Sequence, residues 1–172
     1  MGIRYRVNDA FFDTWSEEMA YVLGFLYADG SLEDASYIRG KYVRVTNTDQ
    51  DRIVTIRRLL ESEHTIVQHD KGGNYKRRYL LRIGNSKMYN RLVRLGLTPH
   101  KSFTMEFPKV PLKNLGSFVR GYFDGDGCVH IGRYKNKPSR LMTIFTSGSK
   151  KFLDKLHVLL KTKIGIVGNG LY

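Results

Sequence analysis

One pattern occurs twice in this chain and constrains the fold more than any other feature. Residues 21–32 read YVLGFLYADGSL and residues 118–129 read FVRGYFDGDGCV. Both follow aromatic-Val-x-Gly-aromatic-x-x-small-Asp-Gly-x-apolar. Gly24 matches Gly121, Asp29 matches Asp126 and Gly30 matches Gly127 at one constant spacing. The likeness continues downstream. Val45-Thr46-Asn47-Thr48-Asp49 resembles Phe145-Thr146-Ser147-Gly148-Ser149, and Ile53, Ile56, Leu59 and Leu60 match Leu153, Leu156, Leu159 and Leu160. Each of those quartets forms one helical stripe. Such repetition predicts a duplicated half, with Asp49 and Ser149 as helix N-caps.

The periodicity within each half predicts a helix, a hairpin and a second helix. In the first half, Thr14 and Glu17 have capping-box spacing, so the opening helix is expected to start near Thr14 or Ser16. Gly30 is expected to close it as a C′ residue. Strands are expected at 31–38 and 41–47 around an Arg39-Gly40 turn, then a helix at 50–61. A second hairpin follows, with strands at 65–70 and 75–83 around Lys71-Gly72-Gly73-Asn74. Asn85 or Ser86 should cap a helix at 87–95. Residues 98–117 hold three of the four prolines and read as a connector between a first half, 1–97, and a second, 118–172. The second copy ends at Tyr172, before the counterpart of the second hairpin and last helix. It is therefore read as incomplete, with an unpaired strand expected at Ile164–Val167.

Charge then narrows the partners. Lys and Arg total 29 against 16 Asp and Glu, a net charge of +13 that calls for a polyanion, nucleic acid before a membrane surface. The single cysteine, Cys128, excludes an intramolecular disulfide and a multi-cysteine zinc site; it is expected to be packed. The five histidines form no HxxxH pair, against a zinc hydrolase. The longest apolar run, Tyr21–Ala28, is too short to span a bilayer, and the N-terminus lacks a signal-peptide core. The expectation is a soluble cytoplasmic or organellar protein.

The repeated motif also carries chemistry. Gly24 with Ala28, and Gly121 with Gly125, put small residues one turn apart on one helix face. Two such faces can pack very closely. Asp29 and Asp126 would then meet at the helix C-termini, where unpaired carbonyls add negative character. Paired carboxylates with carbonyl oxygens suit a hard divalent cation such as Mg²⁺.

VLGFLYADG (22–30) and VRGYFDGDG (119–127) resemble the paired motifs of LAGLIDADG homing endonucleases, in their two-motif single-chain form. The resemblance covers nearly the whole chain. It implies an α+β fold of two pseudo-symmetric αββαββα halves, packed through the motif helices at Gly24 and Gly121. It also implies a Mg²⁺-dependent, site-specific endonuclease that cuts both DNA strands across the minor groove. By position, the resemblance makes Asp29 and Asp126 the catalytic, metal-binding acids, with the carbonyls of Ala28 and Gly125 facing the metals. It assigns Asn47 and Ser147 to ordering water; N-capping or turn bonding is the other reading of both. Lys101 matches the family's active-site lysine, the other reading being a solvated linker residue. The termini carry no splice-junction residues, which suggests an intron-borne or freestanding gene.

Basic residues cluster on the expected hairpins: Arg39, Lys41 and Arg44, then Lys76, Arg77, Arg78 and Arg82, then Arg133, Lys135, Lys137 and Arg140. Alternation puts Lys76, Arg78 and Arg82 on one face of their strand, opposite Tyr79, Leu81 and Ile83. A cationic strand face can clamp phosphates or read guanine; the plainer reading is an ordinary solvated face. Double-stranded DNA is the expected partner. Two other functions stay open: a non-catalytic DNA-binding regulator, and an intron RNA maturase. A complete two-motif protein is expected to be a monomer, and a chain ending here to self-associate.

Overall fold

The computed structural model describes residues 5–35, 37, 40–70, 72–73, 76–134 and 137–165. The first motif forms α1 (Glu17–Asp29). Its cap is Ser16, whose side chain accepts from the Met19 amide at 3.0 Å, so the Thr14 capping box does not form. Ser16 stands immediately before two acidic residues, Glu17 and Glu18, that favour a helix N-terminus. From Met19 to Tyr27 only Tyr21 is not fully buried. A helix apolar on nearly every side needs cover all round. Gly30 does not turn left-handed as a C′ residue would. It is extended (φ −88°, ψ 155°) and opens β1 (Gly30–Ala35) directly. Glycine is needed there because a Cβ would lie 2.5 Å from the Leu26 carbonyl oxygen.

Next come β2 (Gly40–Asn47), α2 (Gln50–Leu59), β3 (Ile66–His69), β4 (Arg78–Gly84) and α3 (Ser86–Arg94). Asp49 and Asn85 cap α2 and α3 through their side chains. The four strands form one antiparallel sheet in the order β1-β2-β4-β3. Its register sets Leu32 beside Val43 and Val43 beside Ile83, all buried against the helices. On the opposite, open face the row is Ser31, Arg44 and Arg82.

The second half repeats the order with α4 (Leu115–Asp126), β5 (Gly127–Tyr134), β6 (Lys137–Phe145) and α5 (Lys150–Ile164). β5 and β6 pair antiparallel as a separate two-stranded sheet. Its exposed apolar side chains include Val129, Ile131 and Leu141. Cys128 is exposed rather than packed, because it points to the sheet face opposite Val129. Ile164 is not in a strand: it ends α5, which Gly165 closes in the left-handed region (φ 68°). Residues 166 and 167 lie outside the described residues.

The halves join through α1 and α4. A Cβ on Gly24 would overlap the Phe118 carbonyl, and one on Gly121 would overlap the Tyr21 carbonyl. Tyr21 and Phe118 are themselves matched positions in the duplication, so the two contacts mirror each other. Two side-chain triads flank this crossing. On one side the Tyr27 ring packs on Phe118 (centroids 5.5 Å) and Phe152 (6.0 Å). On the other, Tyr21 donates to Asp124 Oδ2 at 2.9 Å, and Arg52 Nη1 reaches the same oxygen at 2.6 Å. The connector packs on this frame, with Leu97 and Met105 buried and the Met105 carbonyl accepting from Ser149 Oγ.

Candidate active site

The helix crossing delivers the ends of α1 and α4 to one place. Gly125 lies so close to Ala28 that a side chain there would collide with the Ala28 methyl, and it would come 3.4 Å from Asp29 Oδ2. The absent side chain at 125 lets the two acids face each other. Asp29 is half-buried and Asp126 more open. Burial lifts the Asp29 carboxyl to about 6; Asp126 lifts it further, while Asn47, Lys101 and Arg78 oppose. Asp126 also shifts upward, through burial, with Lys101 opposing. Raised values at two adjacent carboxyls mark negative charge that the protein only partly offsets.

Three neighbours shape this charge. The Asn47 amide, at the end of β2, donates a short hydrogen bond to Asp29 Oδ2. Lys101 is only 8% exposed, which rules out a solvated linker lysine. Its ammonium donates to the Tyr27 carbonyl at 2.6 Å and the Ala28 carbonyl at 3.0 Å. It thus caps the C-terminus of α1 beside both acids, and burial lowers its own pKa against their pull. The Ala28 carbonyl, expected to face a metal, accepts from this ammonium instead.

The second half is built differently. Ser147 does not do for Asp126 what Asn47 does for Asp29. Its hydroxyl accepts from the Ser149 amide at 3.1 Å, and it lies against Tyr122. Tyr122 donates to the Thr146 carbonyl at 2.6 Å, and burial pushes its hydroxyl up to about 12. Among the described residues no side chain donates to the Asp126 carboxylate. Serine is too short to span what asparagine spans in the first half.

The donor set fits a small hard cation. Mg²⁺ takes one or two carboxylates and keeps water or phosphate oxygens elsewhere. Two facing, incompletely neutralised carboxylates match that need. Among the described residues no group of three or more His, Cys, Asp or Glu side chains could hold a metal, so a fully protein-ligated site does not arise.

The basic residues divide by sheet face. Arg44, Arg78 and Arg82 occupy the open face of the first sheet. Glu33, missed by the sequence reading, shares that face. It takes Arg82 bidentately at 2.9 and 3.2 Å and lies 3.8 Å from Arg44. Arg82 also stacks over the Tyr42 ring at 3.5 Å. Lys41 is on the helix-facing side, where it donates to Asn90 of α3 at 3.2 Å and sits over Tyr89. It cannot serve the open face, because side chains alternate along a strand. Lys76 is exposed but precedes β4, which begins at Arg78, so strand alternation does not place it. Arg39 lies outside the described residues, as do Lys135 and the side chains of Arg133, Lys137 and Arg140. The sequence reading also passed over Asp124 and Arg52. Asp124 alone had a signal, a charge inside a motif helix where the first copy has Tyr27.

Comparison with known proteins agrees with this architecture. Residues 114–170 match the model of a family described as LAGLIDADG-like domain. The fold resembles the homing endonuclease I-WcaI, solved bound to its DNA recognition sequence. The TM-score is 0.57 at 15% identity, over 91% of this chain and 73% of that one. It also resembles the meganuclease I-SmaMI, solved on uncleaveable DNA. There the TM-score is 0.51 at 15% identity, over 87% and 74%. The uncharacterized protein MJ0314 of Methanocaldococcus jannaschii is 25% identical over 154 residues. That alignment takes in 83% of this chain and 56% of the relative, so the chain spans little more than half that relative's length. Shared fold and family match place the chain in the LAGLIDADG family. Among the described residues no helix is long and apolar enough to cross a membrane.

Proposed function

We propose that the protein is a site-specific double-strand DNA endonuclease of the homing type that works with a divalent metal ion, Mg²⁺ by preference. The observation that carries this reading is the pair of facing carboxylates, Asp29 and Asp126, at the crossing of α1 and α4. Binding alone gives no reason to hold two raised-pKa acids where polyanionic DNA would come close. Asp29 and Asp126 would hold the metal, which supplies a Lewis acid and an activated water for phosphodiester hydrolysis. Asn47 orients the Asp29 carboxylate through its hydrogen bond. Lys101 holds positive charge beside both acids and fixes the end of α1, which keeps Asp29 in place. Arg44, Arg78 and Arg82 present cationic groups on the open sheet face, where DNA would lie. The Glu33 carboxylate holds Arg82 in a fork, so the guanidinium is oriented before DNA arrives.

The test begins with selection of bound fragments from a randomised duplex library, followed by incubation of the selected DNA with and without Mg²⁺. Cleavage of both strands only with Mg²⁺ is expected. Asp29→Asn and Asp126→Asn should abolish it while retaining binding. Selected DNA that stays intact with Mg²⁺ refutes the endonuclease reading and favours a regulator. Selection of structured RNA over duplex DNA favours a maturase.

A further inference from the structure

The centre of the α1–α4 crossing cannot tell one half from the other. It is made of Gly24 against the Phe118 backbone and Gly121 against the Tyr21 backbone, two mirrored contacts without side chains. Whatever makes the first half choose the second must lie outside that centre. The duplication shows where. Tyr21 matches Phe118, Tyr27 matches Asp124, and Arg52 matches Phe152 along the two copies. The triads on either side of the crossing therefore use the same three positions with opposite chemistry. One is Phe118, Tyr27 and Phe152, all aromatic and packed. The other is Tyr21, Asp124 and Arg52, joined through a single carboxylate oxygen.

We propose that these two triads form a pairing code. It directs each first half onto a second half and rejects the like half of a second copy of the chain. Two second halves brought together would aim Asp124 at Phe118 and Phe152, a desolvated carboxylate with no donor. Two first halves would set Arg52 against Tyr27 with no Asp124 to receive it. Only the mixed pairing satisfies both sides. The carboxylate is the discriminating group: its side chain is 13% exposed and it takes both Tyr21 and Arg52. Arg52 remains anchored from its own element, 3.7 Å from Asp49.

The code can be rewritten in the full chain. Asp124→Arg leaves two cations facing each other, and Arg52→Asp leaves two anions. Each variant alone should lose roughly 5–10 °C in Tm, since charge-assisted bonds become a repulsion in a chain of this size. The double variant Arg52→Asp/Asp124→Arg should recover most of that loss and remain monomeric. Co-refolding the two single variants should give a 1:1 exchanged heterodimer, seen by native mass spectrometry, in which every first half meets an oppositely charged second half. Reversing the exposed pair Lys150–Asp154 controls for charge change itself and should leave Tm within about 2 °C. Single variants as stable as the parent overturn the proposal. So does a double variant no better than the singles, or a mixture that never forms the heterodimer.

Discussion

Replacing Gly24 by alanine adds one methyl group where two backbones meet. In an open helix interior that exchange stabilises by about 1 kcal/mol, because alanine restricts the unfolded chain. Here the new Cβ would overlap the Phe118 carbonyl and stand 2.9 Å from the Tyr122 amide nitrogen. Ordinary carbon contacts lie near 3.5–4.0 Å, so α1 and α4 must separate by about 1 Å. A gap of that size forfeits a quarter to a half of each dispersion contact along the seam, and overpacking of this kind costs about 1–3 kcal/mol. The backbone cannot yield as a flexible side chain would, so the upper end applies, and the propensity gain leaves a net loss of roughly 1–2 kcal/mol. At about 2–4 °C per kcal/mol for a chain of this length, Tm falls by roughly 2–8 °C. Gly116, in the first turn of α4, is the internal control, since a Cβ there meets nothing within 4 Å. Gly116→Ala should hold or raise Tm. Scanning calorimetry on both variants decides the matter. If Gly24→Ala is as stable as Gly116→Ala, the main-chain contact between the halves does not exist.

Two further outcomes follow from the charges. The Asp29 carboxyl titrates near 6 when folded and near 3.8 as a free side chain, so the folded state holds its proton more tightly. Its contribution to stability is therefore full below about pH 4 and is lost as pH rises through 6. Asp29→Asn should accordingly be more stable than the parent at pH 8, by up to about 3 kcal/mol, and equal to it near pH 4. Thermal melts across that range that show a constant difference would refute this account. DNA affinity should fall about 10³–10⁵-fold between 50 and 200 mM salt if 6–10 phosphates are contacted. Arg78→Ala should lower the slope of log K against log salt by about 1, and an unchanged slope places Arg78 away from the phosphates.

What the sequence disclosed was local or repeated. The glycine spacing announced the close helix crossing because only small residues at i and i+4 permit it. Asp49, Asn85 and Ser149 were legible as caps because capping is decided within four residues. What escaped depended on distance or on strand phase. Arg52 and Asp124 meet across 72 positions, from different elements, and no short window contains both. Lys41 was misplaced because one residue of phase moves a side chain to the opposite face of a sheet. The burial of Lys101 had no local sign: its partners are carbonyls at the far end of α1, set by how the connector packs. Gly30 looked like a helix stop by type, and its real constraint is close approach to Leu26. The difference between Asn47 and Ser147 was visible as chemistry, but its result, one acid hydrogen-bonded and the other without a donor, needed coordinates.

The mirrored glycine contact also dictates an order of events when the chain folds. The first half has a four-stranded sheet that wraps α1 with local and medium-range contacts. The motif helix of the second half finds its main partner in α1, ninety-seven positions upstream at every matched residue. Closing so long a loop costs entropy before any contact repays it, and only a preformed surface makes the search short. α4 therefore docks onto a template that already exists. During synthesis that template emerges first, and the ribosome can still be adding β5 when α1 is ready to receive α4. Substitutions in the first sheet should slow folding of the entire chain. Those in β5, β6 and α5 should chiefly speed unfolding, because they lie in the part that assembles last.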